Sequence, residues 1–128
     1  MMSVSAHDAV SAATLDVVHH MEAAVNQHDV DAVMRLCTDD VVWESTTPPD
    51  GDRFEGPVAV RAALEALFRD SNDARFETED LSVFGESAVL RWRYTWKSSD
   101  GVDGHVRGVD LIRARDGKIA EMLAYVKG

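Results

Sequence analysis

The 128 residues carry 23 acidic against 13 basic side chains, a net charge of −10. That length supports one domain with a real core and is too short for two. The acidic balance argues against nucleic acid and anionic membrane as partners, since both need a basic footprint, and no apolar run approaches the roughly 20 residues that span a bilayer.

Residues 1–10 show no strong pattern and are read as a short lead-in, with a single domain over 11–128. Met1 to Asp8 lack the basic and apolar regions of a secretory leader, so a cytoplasmic location is expected. From about Ser11 to Gln27, Thr14, Val17, Val18, Met21 and Val25 recur at three- and four-residue intervals, which predicts an amphipathic helix. Asp29 suits the N-cap of a second, shorter helix ending near Cys37. Cys37 is the single cysteine; it falls in line with Val30, Val33 and Met34 and is assigned to packing.

Val41 to Ser45 reads as a strand, with Val41, Trp43 and Ser45 on one face and Val42 and Glu44 on the other. Thr46 to Arg53 holds two prolines and a glycine, which predicts a loop at the rim of a pocket. Pro57 suits the first turn of a third helix whose inward stripe is Val60, Ala63, Leu64, Leu67 and Phe68. Residues 76–84 and 87–97 read as strands joined by a tight turn at Gly85. In the second, Leu90, Trp92, Tyr94 and Trp96 alternate with Val89, Arg91, Arg93, Thr95 and Lys97. A turn over Ser98 to Gly101 leads to a final hairpin, turning at Asp116 and Gly117. Helices first and antiparallel strands after them predict an α+β fold in which one curved sheet wraps the N-terminal helices.

One carboxylate stands out. With period-two alternation, Val106, Gly108, Asp110, Ile112 and Ala114 share one side of residues 104–115, and the basic residues sit opposite. Desolvation on an apolar face disfavours the ionised carboxylate and raises its pKa, and a protonated carboxylic acid can donate a hydrogen bond at neutral pH. The ordinary alternative is an Asp110 that pairs with an arginine or a backbone amide.

Val109 to Arg113, Asp116 to Ile119 and Met122 to Tyr125 together resemble the final hairpin of the nuclear transport factor 2-like superfamily, in its SnoaL-like and ketosteroid-isomerase-like branches. Asn26 to Glu44 resembles that family's short helix, Asp-Asp pair and first strand, and Phe54 to Arg61 resembles the stretch that leads into its third helix. The resemblance covers roughly residues 12–127. It implies a cone-shaped α+β fold with one internal pocket, while a reaction has to be argued from the site residues. In the ketosteroid isomerase branch the position matching Asp110 is a protonated aspartic acid in the oxyanion hole; in SnoaL-like cyclases it supplies the acid–base group. The isomerase's tyrosine and base positions fall on Met21 and Ser45, neither of which can replace a phenol or a carboxylate. The Asp-Arg-Asp set of limonene epoxide hydrolases is also broken, with Ala124 at the last-strand aspartate position.

The resemblance thus implies a cofactor-free, metal-free small-molecule enzyme doing cyclase- or isomerase-like proton transfer on an apolar carbonyl compound, with Asp110 as acid or oxyanion donor. The alternative is a non-catalytic ligand-binding or adaptor domain of the same fold. Met21, Val25, Trp43, Trp92, Met122, Ala124 and Val126 are the expected apolar lining, with Ser45 placed to position a ligand; for each apolar residue taken singly, core packing is the ordinary account. None of the five histidines has a partner at zinc-motif spacing. His20 is a candidate for the pocket border, and His105 for a base if its strand is bulged. The opposite sheet face, with Val109, Leu111, Leu123 and Tyr125 among arginines, is expected to form a homodimer interface.

Overall fold

A computed structural model describes residues 6–70, 73–97 and 100–127. Three helices precede most of a six-stranded sheet: α1 (Ala6–Asn26), α2 (Val30–Arg35), β1 (Cys37–Glu44), β2 (Arg53–Glu55), α3 (Gly56–Asp70), β3 (Arg75–Phe84), β4 (Ser87–Lys97), β5 (Asp103–Arg115) and β6 (Lys118–Val126). The strand order is β2-β1-β6-β5-β4-β3. All neighbours are antiparallel except β1 and β6, which run parallel with Trp43 opposite Met122. The expectation of an α+β fold with a sheet wrapped on helices holds; a wholly antiparallel sheet does not, because β1 leaves the helical half of the chain and joins the sheet beside its last strand.

Three boundaries differ from the sequence reading, the first being that of β1, which begins at Cys37 rather than Val41, directly after the short second helix ends. Helix α1 begins at Ala6, inside the segment expected to be a lead-in, while residues 1–5 lie outside the described residues. The stretch read as loop running to Arg53 ends in β2, which Glu44 and Arg53 clamp to β1 through a 2.8 Å ion pair. Part of the turn expected over Ser98 to Gly101 lies outside the described residues.

The local chemistry explains the elements. The Asp29 carboxylate accepts the Ala32 N–H at 3.0 Å and caps α2. Asp116 and Gly117 both adopt positive φ, 52° and 76°, which fits the two-residue β5–β6 turn. Val17, Val18 and Met21 of α1, Val60 and Leu64 of α3, and Leu90, Trp92, Ile112, Ile119 and Met122 of the sheet form one buried core. Cys37 is part of it: burial pushes its thiol up to about 11, against a small opposing effect of Lys118, so it is a packing residue rather than a nucleophile.

Helix α1 is fixed across the concave face at both ends. Near its start, Ser11 Oγ accepts the Gly85 N–H at 2.8 Å and Thr14 Oγ1 donates to the Gly85 carbonyl at 2.8 Å. At its end Asn26 exchanges two 2.9 Å hydrogen bonds with the Phe76 backbone on β3. These ties hold Met21, Glu22 and Val25 over the sheet.

In β3 the ladder to β4 shifts between Thr78 and Asp80. The extra residue lets Phe76 and Thr78 face inward at one end and Leu81 and Val83 at the other, a phase change that strict alternation forbids.

Candidate functional site

The helices and the concave sheet face enclose a cavity of about 750 Å³. Small-molecule sites fall in the range of about 300–1,000 Å³. Its walls are mainly apolar: Met21 and Val25 of α1, Leu64 and Leu67 of α3, Trp43 of β1, Phe76 of β3, Leu90, Trp92, Tyr94 and Trp96 of β4, Val106 of β5, and Met122, Ala124 and Val126 of β6. Polar groups are few and distributed: Glu22, Ser45, Thr46, Asp70, Asp73, Thr78, Lys97 and Asp110.

Two cross-strand pairings shape the aromatic wall. Trp92 lies opposite Gly108 and Trp96 opposite Gly104. A Cβ at Gly108 would stand 2.3 Å from the Tyr125 carbonyl oxygen and 2.5 Å from the Trp92 ring; one at Gly104 would stand 2.5 Å from the Trp96 ring. Glycine on β5 therefore lets each indole lie flat across the neighbouring strand. Phe76 adds an edge contact to Trp92 at 5.2 Å and a tilted one to Tyr94 at 4.6 Å, giving a continuous aromatic side.

Asp110 lies between Leu90 and Ala124 in the ladder and projects into this space. Surface exposed to the cavity leaves it half-buried, yet protein atoms crowd the carboxyl, and this loss of solvent pushes its pKa up to about 7. The Trp92 indole N–H draws it down and the negative charge of Glu22 pushes it up further. Trp92 Nε1 is buried without a hydrogen bond of good geometry, so its effect on Asp110 is that of a nearby dipole, not of a closed bond. At neutral pH the acid is divided between its donor and acceptor forms.

Met21, Val25, Trp43, Ser45, Trp92, Met122, Ala124 and Val126 all border the same cavity as Asp110. Ser45 is partly committed elsewhere: its Oγ accepts the Asp52 N–H at 3.0 Å and lies 3.2 Å from Thr47 Oγ1, so it anchors the 46–52 loop. His20 is exposed and does not border the cavity. His105 is exposed too, because the β4–β5 ladder runs without a shift and keeps it on the outer face opposite Thr95. Among the described residues no cluster of three or more histidine, cysteine or acidic side chains could hold a metal ion, and no helix is long and apolar enough to cross a membrane.

Tyr94 and Trp96 join the lining for a reason visible in the alternation of β4, which puts them on the face of Leu90 and Trp92. Glu22 had no such signal. It sits about 100° around α1 from Met21, where a glutamate ordinarily meets solvent. Here β3 covers it: Thr78 Oγ1 donates to Glu22 Oε2, while Oε1 is buried with no hydrogen bond and with His19 Nδ1 at 3.6 Å.

The sequence matches the SnoaL-like domain family over residues 17–122. An NTF2-like protein of unknown function from Mesorhizobium loti is 36% identical, with a TM-score of 0.79 over 92% of this chain and 93% of that one. A candidate SnoaL-like polyketide cyclase from Jannaschia sp. CCS1 superposes with a TM-score of 0.81 at 17% identity, covering 99% of this chain and 92% of that one. A candidate polyketide cyclase from Sinorhizobium meliloti does so at 0.71 and 22% identity, covering 85% and 93%. A search of curated proteins finds no match. With the family matched over most of its length and a relative sharing 36% of its residues, the chain belongs to the SnoaL-like domain family, on the nuclear transport factor 2-like fold.

Proposed function

We propose that this protein is a cofactor-free enzyme that moves a proton on an apolar, ring-bearing carbonyl compound, with Asp110 donating to the carbonyl oxygen. One observation carries the reading: a carboxylic acid poised to exchange its proton near neutrality faces an otherwise largely apolar cavity. A neutral carboxylic acid in such surroundings stabilises an enol or enolate oxygen better than water does, because its dipole is already aimed and few solvent dipoles compete. Cyclisation of a polyketide, the role suggested for the Jannaschia and Sinorhizobium proteins, is chemistry of this kind.

The test uses 2-tetralone, a bicyclic ketone with acidic C–H bonds. Wild-type protein in D2O at pH 7 should accelerate deuterium exchange at the α-carbons, followed by proton NMR. Asp110→Asn should cut that acceleration on the order of a hundredfold. A wild type that quenches its tryptophans on binding the ketone but exchanges nothing leaves only the alternative of a ligand-binding domain.

Ketosteroid isomerisation should be absent. Met21 offers no donor, and Ser45, its hydroxyl tied to the loop, offers no base. Measurable conversion of a 3-oxo-Δ5-steroid above the buffer rate would show this assignment of positions to be wrong.

We also propose a homodimer through the convex sheet face. Leu111 is 40% and Tyr125 52% exposed there, with Val109 and Leu123 half-buried beside them, an apolar surface that association would cover. Sedimentation should give about twice the monomer mass of 14.1 kDa at micromolar concentration; a monomer removes the proposal.

A further inference from the structure

Resting on the reading of Asp110 above, we propose that Glu22 is the second acid–base group of the cavity, taking the proton from the carbon next to the substrate carbonyl while Asp110 serves the oxygen. Three features single it out. Glu22 borders the cavity from α1, across from the sheet that carries Asp110. Thr78 Oγ1 donates to Oε2 and so fixes the carboxylate's orientation at the cavity wall. Oε1 is buried without a hydrogen bond, with the His19 ring 3.6 Å away, and a carboxylate oxygen left in that state calls for a functional explanation.

The two groups are electrostatically coupled, the negative charge of Glu22 favouring the protonated form of Asp110. With Glu22 as base and Asp110 as acid, the two carboxyls would divide the labour that enolisation needs. His19 approaches Oε1 from the same helix at 3.6 Å, and Asp70, Asp73, Tyr94 and Lys97 are the other titratable groups that border the cavity.

The step balances without a co-reactant. As the C–H bond breaks, Glu22 gains the proton and the bonding pair becomes the carbon–carbon π bond. The carbonyl π pair moves to oxygen, which takes the proton of Asp110. Return of the Glu22 proton to a different carbon of the conjugated system, and of the enol proton to Asp110, gives an isomer and restores both carboxyls. The negative charge beside the cavity also selects the substrate class, an uncharged carbonyl compound rather than a carboxylate or phosphate.

Glu22→Gln is the informative variant, because glutamine keeps an oxygen to accept from Thr78 and removes the charge and the basicity. With 2-tetralone in D2O, it should lose on the order of a hundredfold of the exchange rate while still quenching its tryptophans on binding the ketone. In protein labelled with carbon-13 at aspartate carboxyls, the Asp110 titration should move to lower pH in Glu22→Gln. A variant that keeps the wild-type exchange rate, or an Asp110 titration that does not move, overturns the role of Glu22 and leaves that of Asp110 standing. A wild type that binds the ketone without exchanging its protons overturns both.

Discussion

Replacing Asp110 by asparagine should make the protein more stable, by a margin that grows with pH. The folded-state pKa of about 7 lies above the ordinary 3.8 of the unfolded chain. Between those values the native state holds a proton that the unfolded state has released. Stability from this group is therefore fully present below about pH 4 and is lost as pH rises towards 7, at about 1.4 kcal/mol per pH unit and roughly 4 kcal/mol in all. Asparagine cannot ionise and escapes this loss. Its amide also retains a donor and an acceptor for the Trp92 side of the cavity. Thermal melts at pH 5 and pH 8 should show the variant's advantage growing by about 2–3 kcal/mol, a shift on the order of 10 °C in the difference between the two melting temperatures. A variant that loses ground to wild type on going from pH 5 to pH 8 would mean that Asp110 is an ionised, paired residue. The acid–base reading would then fall with it.

Gly108→Val should be damaging for a different reason. A Cβ there would sit 2.3 Å from the Tyr125 carbonyl oxygen and 2.5 and 2.6 Å from two atoms of the Trp92 ring. The oxygen belongs to the β6 backbone and the indole to the buried core, so neither can give way cheaply. Overpacking of this kind costs about 1–3 kcal/mol and at times more; with two obstacles at once and a branched side chain, the upper end is expected. Whatever folded protein remains should have Trp92 displaced into the cavity, visible as a changed near-ultraviolet circular dichroism and weaker 2-tetralone quenching. A melting temperature within about 2 °C of wild type would show that the β5–β6 ladder adjusts far more readily than core packing normally allows.

Much of this arrangement could be read from the sequence because its causes are local. Period-two alternation in β5 places Asp110 with Val106 and Ile112, and the three- and four-residue spacing of α1 turns Met21 and Val25 inward. The Asp116–Gly117 turn fixes the register that brings Ala124 opposite Asp110. What escaped depends on distant residues. Glu22 looks like a surface glutamate until β3, more than fifty residues later, lays Thr78 over it. Strand β2 has three residues, too few for a period to appear, and exists because β1 offers an edge. The shift at Glu79 breaks the alternation in β3 and hides which of its residues face inward.

The position of β6 between β1 and β5 bears on how the molecule comes together. The β3–β4–β5 meander uses neighbouring segments and can form early, as a chain of hairpins does. Strands β1 and β2, made in the first half of synthesis, have no place in the sheet until β6 supplies the parallel edge on which β1 docks. Closing that gap joins residues about eighty positions apart, such as Trp43 and Met122, and this long-range pairing should limit the folding rate. The side of the cavity carried by β1 and β6, with Trp43, Met122 and Ala124, is thus the last part of the site to be assembled, and a nascent chain would hold Asp110 in place before it had a closed space to work in.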